Sequence, residues 1–273
     1  MRVSEFRELV RLVRSRRRSE SDYRAFQGFQ ARLVSEYLAR RGFPFAGARL
    51  VDLGSGIGGY SEEFARLGAR VVSIDLAPPL GWRSPGVSPI RGSALAVPLR
   101  DGAADAVFCA SLIEHVEDPG RLLAEIGRVL RAGGLAYVSF PPYYSPVGGH
   151  EFSPFHYLGE RLAMRLARRR AEPPEWVHQV QDAPQEPRSF ARLYRGWGLY
   201  RMTIRKMRRL LSATPFERVE LSTRYFPLSF VHWPFLGEVL TWHAQFLLRK
   251  PRVQANSSPL GRQASAAPAT RNR

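Results

Sequence analysis

The first residues that could bind a ligand are two aspartates and the glycines between them. In LVDLGSGIGGYS, Asp52 precedes Gly54, Gly56 and Gly59, which match the pattern G-x-G-x-x-G between a strand and a helix. Such glycines let the backbone pass close to a ligand. Asp75 ends the apolar run VVSIDL, where a carboxylate can accept both hydroxyls of a ribose. Asp52 would repel a pyrophosphate and suits a ligand with a cationic amino group.

A second group of residues could carry acid–base chemistry, because imidazoles and carboxylates are common proton acceptors. The stretches SLIEHVEDP, GGHE and PFHYLG supply four candidate catalytic residues, namely His115, His150, Glu151 and His156. For His115, shaping the pocket without proton transfer is an equally good interpretation. No compact set of His, Cys and Asp ligands is visible, so no metal is predicted.

The glycines before His150 predict how it reaches the site. Gly148 and Gly149 are expected to let the loop turn tightly and bring His150 over the carboxyl edge of the sheet. Ligands bind at that edge in open α/β folds.

The elements that position these residues alternate between strand and helix up to about residue 141. Apolar runs such as RVVSIDL, DAVFCAS and LAYVSFP predict strands, and SEEFARLG and PGRLLAEIGRVLRAGG predict helices. This alternation predicts βαβ units around a parallel sheet. A helix is also expected over residues 21–41, capped by Ser21 or Asp22.

After Pro141 the pattern changes to loops and basic helical stretches. Helical character returns over residues 189–213, and FERVELSTRYF and LTWHAQFLLRK then predict two more strands. The aromatic stretch between them predicts an acceptor pocket, a lipid interface or a simple cover for the core.

Five stretches in order resemble a known family. VDLGSGIGGYS, VVSIDL, RGSALAVPL, DAVFCASLIEHVEDP and RVLRAGGLAYVSFP look like class I S-adenosylmethionine-dependent methyltransferases. They are most similar to the type 11 group, which includes the ubiquinone and menaquinone C-methyltransferases. The stretch GGHE…HYLG also resembles actinobacterial members. The resemblance covers about residues 49–141.

The resemblance assigns cofactor-binding roles to positions of this chain. It places the methionine part of S-adenosylmethionine over the glycine loop and near Asp52, and the ribose on Asp75. It places Leu76, Ser93 and Ala94 around the adenine, whereas the three residues from 111 to 113 line the other side of the cofactor. The residues implied are Asp52, Gly54, Ser55, Gly56, Gly58, Asp75, Leu76, Ser93, Ala94, Ser111, Leu112 and Ile113. Ser93 departs from the Asp that the family often has there, which predicts a weaker adenine contact.

The fold implied is α/β: a Rossmann-like, seven-stranded, mostly parallel sheet with helices on both faces, a helical insertion after strand five and an antiparallel last pair. Three regions are predicted. Residues 1–45 form basic amphipathic helices that could close over the cofactor, residues 46–250 form the methyltransferase domain with an insertion at about 141–213, and residues 251–273 form a disordered tail.

Charge and composition limit the partners and the compartment. The net charge is +17, but the positive residues are dispersed, so an anionic membrane surface is a candidate partner and nucleic acid is not expected. The single cysteine, Cys109, lies in an apolar run and is predicted to be buried. With no signal peptide or membrane span in the sequence, a cytoplasmic location is expected, with peripheral attachment to the inner face of the membrane as an open alternative.

The predicted function is methyl transfer from S-adenosylmethionine to a small-molecule or lipid- or glycan-linked acceptor, at an oxygen atom. The protein aligns the acceptor behind the methyl group, and a base assists if the acceptor is a hydroxyl. Two alternatives stay open at this point: a non-catalytic relative that binds the cofactor or an acidic partner, and an NAD(P)-dependent oxidoreductase. Asp52 and the Glu-His pair in SLIEHVEDP argue against the oxidoreductase.

Overall fold

Seven strands form one sheet in the order β3-β2-β1-β4-β5-β7-β6. The computed structural model describes residues 3–16, 18–79, 81–167, 189–192, 198–224 and 229–252. The strands are β1 (Arg49–Leu53), β2 (Arg70–Asp75), β3 (Val87–Arg91), β4 (Ala104–Ala110), β5 (Leu130–Phe140), β6 (Glu217–Thr223) and β7 (Ala244–Arg249). Strands β1 to β5 are parallel, and β7 lies antiparallel between β5 and β6. The predicted sheet is confirmed, including its antiparallel last pair.

Helices cover both faces of this sheet. The helices described are α1 (Val3–Ser15), α2 (Glu20–Ala39), α3 (Gly59–Arg66), α4 (Pro119–Val129), α5 (Glu160–Ala167), α6 (Ile204–Ser212) and α7 (Leu236–Leu240). Short 3-10 turns span Ile113–His115, His150–Phe152, Phe155–Leu158 and Phe190–Arg192. Among the residues that the structure describes, no helix has the length and apolar character needed to cross a bilayer.

The strands bury alternate residues against two separate cores. On one face, Val107 and Cys109 of β4 pack with residues of α4 and α6. On the other face, Phe108 packs with Phe64 of α3 and Leu38 of α2. This two-sided burial explains why the strands are continuous apolar runs. Cys109 is fully buried, as predicted, and burial raises the pKa of its thiol well above the usual value.

The N-terminal helices pack on each other. Leu12 of α1 is buried against Phe26 and Phe29 of α2. Helix α2 begins one residue earlier than predicted, because Ser19 is its cap: the Ser19 hydroxyl accepts a hydrogen bond from the backbone N–H of Asp22 at 3.1 Å. The prediction that Ser21 or Asp22 caps this helix is therefore wrong.

Two further boundaries differ from the sequence prediction. The stretch RAGG does not end α4 but belongs to β5, where the register shifts and Gly133 adopts a φ of 76°. In the part of 189–213 that the structure describes, the helix is limited to α6. Thr203 begins it by accepting a hydrogen bond from the backbone N–H of Lys206.

The predicted division into three regions stays a prediction. Residues 253–273, the greater part of the predicted tail, lie outside the described residues, as do 168–188 and 193–197 of the predicted insertion.

Candidate active site

The loop after β1 is closely packed at its ends and open at its centre. Gly54, Gly56 and Gly58 have φ values of 73°, 54° and 88°, a region that L residues rarely adopt. A Cβ on Gly58 would lie 2.2 Å from the Trp82 indole, and one on Gly54 would lie 3.0 Å from Leu112. Among the residues that the structure describes, nothing lies within 4 Å of the same position on Gly56. A ligand can therefore approach the backbone at Gly56.

Asp75 lies beside this opening, at the end of β2. Its Oδ2 accepts a hydrogen bond from the backbone N–H of Gly56 at 2.9 Å, and its Oδ1 accepts one from Ala77 at 2.9 Å. Each carboxylate oxygen can accept more than one hydrogen bond, so capacity for a ribose is left. The next side chain, Leu76, is 39% exposed and offers an apolar surface to an adenine ring.

Asp52 lies beneath the loop rather than in the opening. It is 2% exposed, and its Oδ2 accepts a hydrogen bond from the Ser61 hydroxyl at 2.6 Å. Burial raises its pKa to about 7, the Ser61 hydrogen bond opposes that rise, and the Asp75 charge adds to it. Ser55, also in the loop, is buried and its hydroxyl accepts a hydrogen bond from Ser73. Asp52 can thus act on a bound amino group through its charge, without contact at the surface.

The residues expected beside the adenine and along the other side of the cofactor differ in exposure. The Ser93 hydroxyl accepts a hydrogen bond from the backbone N–H of Leu95 at 3.1 Å, and Ala94 packs half-buried against the core. Ser111 is exposed with a φ of 52°. Ile113 is 1% exposed and belongs to the core.

Glu114 and His115 form a buried turn at the carboxyl end of β4. Glu114 is 2% exposed and His115 is 7% exposed. The backbone carbonyl groups of this pair accept hydrogen bonds from Tyr200 and Gly198. The Nδ1 atom of His115 lies 2.7 Å from the carbonyl oxygen of Gly198, to which it donates. Backbone groups of Gly198 and Tyr200 therefore fix the position of the Glu114–His115 turn.

The loop after β5 brings His150 onto this pair. The His150 ring centroid lies 4.7 Å from that of His115, and its Nε2 lies 3.7 Å from Oε1 of Glu114. The expectation that Gly148 and Gly149 supply the turn needs correction. His150 itself has the positive φ, of 50°. Both glycines are needed for close packing: a Cβ on Gly148 would overlap the carbonyl of Pro142.

The structure brings together a compact set of potential ligands that the sequence did not show. Glu114, His115 and His150 each present a potential ligand atom, and these atoms lie within 4.8 Å of one another. The set was not visible in the sequence because His150 is supplied by a loop 35 residues further on.

The structure separates His156 from this group. His156 is 1% exposed, and its Nε2 donates to the carbonyl oxygen of Tyr143 at 2.9 Å. A Cβ on Gly149 would lie 2.3 Å from its ring, so the loop is folded tightly on the imidazole. Burial lowers its pKa. These contacts give His156 a role in holding the loop. The backbone of Glu151 lies in the turn His150–Phe152, and its side chain is outside the described residues.

Two residues at the same edge were missed by sequence reasoning. His243, just before β7, is buried with its Nε2 3.2 Å from the Ser111 hydroxyl, and its pKa is lowered well below the usual value by burial and by the nearby charge of Arg224. Arg224 donates to the hydroxyls of Tyr60 and Ser139. Arg224 directly follows β6 and His243 directly precedes β7, so only the order of the strands in the sheet brings both residues to this edge.

The fold and the site together define a class of nucleoside-binding α/β proteins. The glycine loop follows β1, and the acidic Asp75 ends β2. Glu114 and His115 follow β4 and form a polar cluster with His150. All of these lie at the carboxyl edge of the parallel strands.

Comparison with known proteins identifies the family. A model described as a methyltransferase domain matches residues 51–138. An uncharacterized methyltransferase of Mycobacterium ulcerans is 39% identical over 160 residues, which are 55% of this chain and 62% of that protein. One of Mycobacterium avium is 35% identical over 177 residues, which are 60% of this chain and 70% of that protein. The chain belongs to the methyltransferase family.

Solved structures agree on the fold. The 1,6-didemethyltoxoflavin-N1-methyltransferase of Burkholderia thailandensis, solved with 1,6-didemethyltoxoflavin and S-adenosylhomocysteine bound, matches with a TM-score of 0.51 and 17% identity, over 92% of this chain and 91% of that chain. An S-adenosylmethionine-dependent methyltransferase of Mesorhizobium loti matches with a TM-score of 0.51 and 20% identity, over 77% and 94%. At these identities the likeness shows the fold alone.

Membership of the family confirms the resemblance, the fold class and S-adenosylmethionine as the cofactor. The chain spans 62% of the length of the relatives from Mycobacterium ulcerans and Mycobacterium marinum. The acceptor and the reaction of the whole protein are therefore matters for proposal.

Proposed function

We propose that this protein transfers the methyl group of S-adenosylmethionine to an oxygen atom of a small-molecule or lipid- or glycan-linked acceptor. The observation that carries the proposal is the buried Glu114 carboxylate with His115 and His150 beside it, at the edge of the sheet that also carries the cofactor loop. A buried group of hydrogen-bonding side chains suits a hydroxyl acceptor, because it can bind the oxygen and help remove the proton.

The cofactor site is supplied by the residues of β1 and β2. The backbone at Gly56 is open to a ligand, Asp75 can bind the ribose, and Leu76 can pack on the adenine. The negative charge of Asp52 favours the cationic methionine end. This arrangement would direct the methyl group towards the ends of β4 and β5, where the polar cluster lies.

The proposed reaction is an in-line displacement. The acceptor oxygen forms a bond to the methyl carbon while the carbon–sulfur bond breaks, and its electron pair stays on sulfur. The products are the methyl ether and S-adenosylhomocysteine, with the hydroxyl proton released at the cluster. The donor is already activated as a sulfonium, so the main contribution of the protein is alignment of the acceptor.

We also propose that the protein works at an anionic membrane surface, which suits a lipid-linked acceptor. Trp233, Phe235 and Trp242 are 54%, 84% and 41% exposed, although large apolar side chains favour burial. These three residues lie in the segment 233–242. The exposed Arg205 lies next to this segment, because its backbone N–H donates to the carboxylate of Glu238. Aromatic side chains beside arginines favour the interface of an anionic bilayer.

Transfer of a labelled methyl group tests the function. The protein is incubated with S-adenosylmethionine labelled in the methyl group and with lipid and polar extracts, and the labelled products are separated. We expect label in an alkali-stable ether product, and at least a hundredfold lower rate with Glu114→Gln. Cofactor binding without transfer to any fraction would instead support the non-catalytic alternative.

A further inference from the structure

The Glu114 carboxylate is buried without a hydrogen-bond partner among the described residues. It is 2% exposed, and neither of its oxygens is hydrogen-bonded. Among the described residues, the Nε2 atoms of His150 and His115 form its ion-pair contacts, at 3.7 Å and 3.9 Å, and both distances exceed hydrogen-bond distance. A buried carboxylate without a partner is strongly destabilising, whereas a cation placed between these atoms would compensate the charge.

The hydrogen bond of His115 prepares its other nitrogen for coordination. Its Nδ1 donates to the carbonyl oxygen of Gly198 at 2.7 Å, which leaves the lone pair on Nε2, the atom that faces Glu114. Histidines that bind metals usually donate their second ring N–H to a carbonyl or carboxylate in this way, which fixes the tautomer and the ring. The backbone N–H of Gly198 also donates a hydrogen bond to the His115 carbonyl, which further fixes the position of His115.

The distances fit a site that contracts slightly around an ion. The three ligand atoms lie within 4.8 Å of one another. Ligand atoms bound at about 2.0–2.2 Å to one ion are about 3–3.5 Å apart, so a closure of about 1 Å suffices. His150 is the member best able to move, because it lies on a loop and is 27% exposed, whereas Glu114 and His115 are fixed in a buried turn.

We propose that Glu114, His115 and His150 form a binding site for a divalent first-row metal ion such as Zn²⁺ or Co²⁺. Two imidazoles and one carboxylate favour these ions over Mg²⁺, which prefers oxygen ligands. Three protein ligands leave at least one coordination position open. Resting on the proposed function, this position would bind the acceptor oxygen and ease loss of its proton, which deepens the assignment to a hydroxyl or other oxygen-bearing acceptor.

Titration with the metal alone tests the site. The full chain is treated with a chelator, dialysed and titrated with Zn²⁺ by calorimetry and with Co²⁺ by visible absorption. We expect one equivalent to bind and Co²⁺ to give d–d bands of a low-coordinate N/O site. Glu114→Gln and His150→Gln should each weaken binding at least tenfold. His232→Gln, which removes an exposed histidine outside the cluster, should have no effect.

Two results would overturn the site: no saturable binding by the wild-type chain, or unchanged affinity in both cluster variants. His150→Gln keeps the test valid if Glu114→Gln fails to fold, because His150 is partly exposed. Parallel titration with S-adenosylhomocysteine separates the two proposals. Cofactor binding without metal binding would refute the metal site alone, and metal binding without cofactor binding would count against the proposed function alone.

Discussion

Asp52 shows how a single buried charge serves the site at the expense of stability. Burial raises its pKa to about 7, whereas an aspartate in an unfolded chain titrates near 4. Folding therefore favours the protonated form. The free energy of unfolding falls as the pH rises from about 4 to about 7, because the buried carboxylate must then be ionised. A cationic ligand above the loop would offset this penalty.

Asp52→Asn is therefore expected to stabilise the protein without cofactor at high pH. An asparagine oxygen can still accept the hydrogen bond from Ser61 but carries no charge. Its free energy of unfolding should exceed that of the wild type by about 4 kcal/mol at pH 8 and by only about 1 kcal/mol near pH 4.5. Urea denaturation at both pH values measures this difference. Asp101→Asn, at a position 80% exposed, serves as the control. Equal pH dependence in Asp52→Asn and wild type would contradict the account.

At the residue scale, the residues proposed for the cofactor form a local pattern in the sequence, whereas the residues around His150 do not. Asp75 and the glycines are local features of one strand–loop–helix unit, so their spacing is visible in the sequence. His243 comes from the last strand pair and reaches Ser111 only through the sheet order. His156 was a candidate by residue type, but its environment is decided by packing against Gly149.

At the element scale, α2 lies directly over the cofactor loop. The Arg24 guanidinium donates to the carbonyl oxygen of Ile57 at 3.3 Å. A Cβ on Gly59 would lie 2.8 Å from the Gln27 side chain. These contacts join α2 to the loop and to the start of α3, and they favour the prediction that the N-terminal helices close over the cofactor.

Hydrogen exchange can test this role of α2. We expect S-adenosylhomocysteine at saturation to slow the exchange of amides in residues 20–30 and 54–59 by at least tenfold, because ligand binding suppresses local opening of the elements that contact it. Amides of α4, which packs on the opposite face of the sheet, provide the internal reference. If the loop is protected and α2 exchanges at its unliganded rate, α2 does not act as a lid.

Element boundaries were less predictable than element types. The stretch RAGG was expected to end α4, because glycines commonly follow helices, but pairing with β4 places it within β5. The cap of α2 was misplaced by two or three residues because Ser19, Ser21 and Asp22 are all good capping residues. Local preference does not choose among them.

At the scale of the whole molecule, the exposed aromatic segment of residues 233–242 and the net charge of +17 predict attachment to anionic membranes. Vesicle sedimentation is expected to show binding to vesicles that contain 30% phosphatidylserine and none to pure phosphatidylcholine. Phe235→Ser should weaken binding about fivefold or more, because it removes an aromatic side chain that is 84% exposed.

The control for this experiment is Val219→Ser, an exposed apolar residue on β6 outside the segment. Equal binding to both types of vesicle, or equal affinity of Phe235→Ser and wild type, would contradict membrane attachment through this segment.

The global fold was easier to predict from the sequence than the element boundaries or the surroundings of single residues. Alternation of strands and helices along residues 49–141 restricts the topology strongly, because βαβ units have one handedness and parallel strands need helices on both faces. After β5, loops without clear periodicity position His150 and His156. The convergence of His150 with Glu114 therefore needed the three-dimensional structure.

Calorimetric titration with S-adenosylhomocysteine tests the central claim most directly, because it requires no knowledge of the acceptor. We expect saturable one-to-one binding to the wild-type chain and at least tenfold weaker binding to Asp75→Ala, which loses both the contact with Gly56 and the proposed contact with the ribose. Asp101→Ala should bind like the wild type. No binding to the wild-type chain, or equal binding to Asp75→Ala, would contradict the cofactor site and with it the proposed methyl transfer.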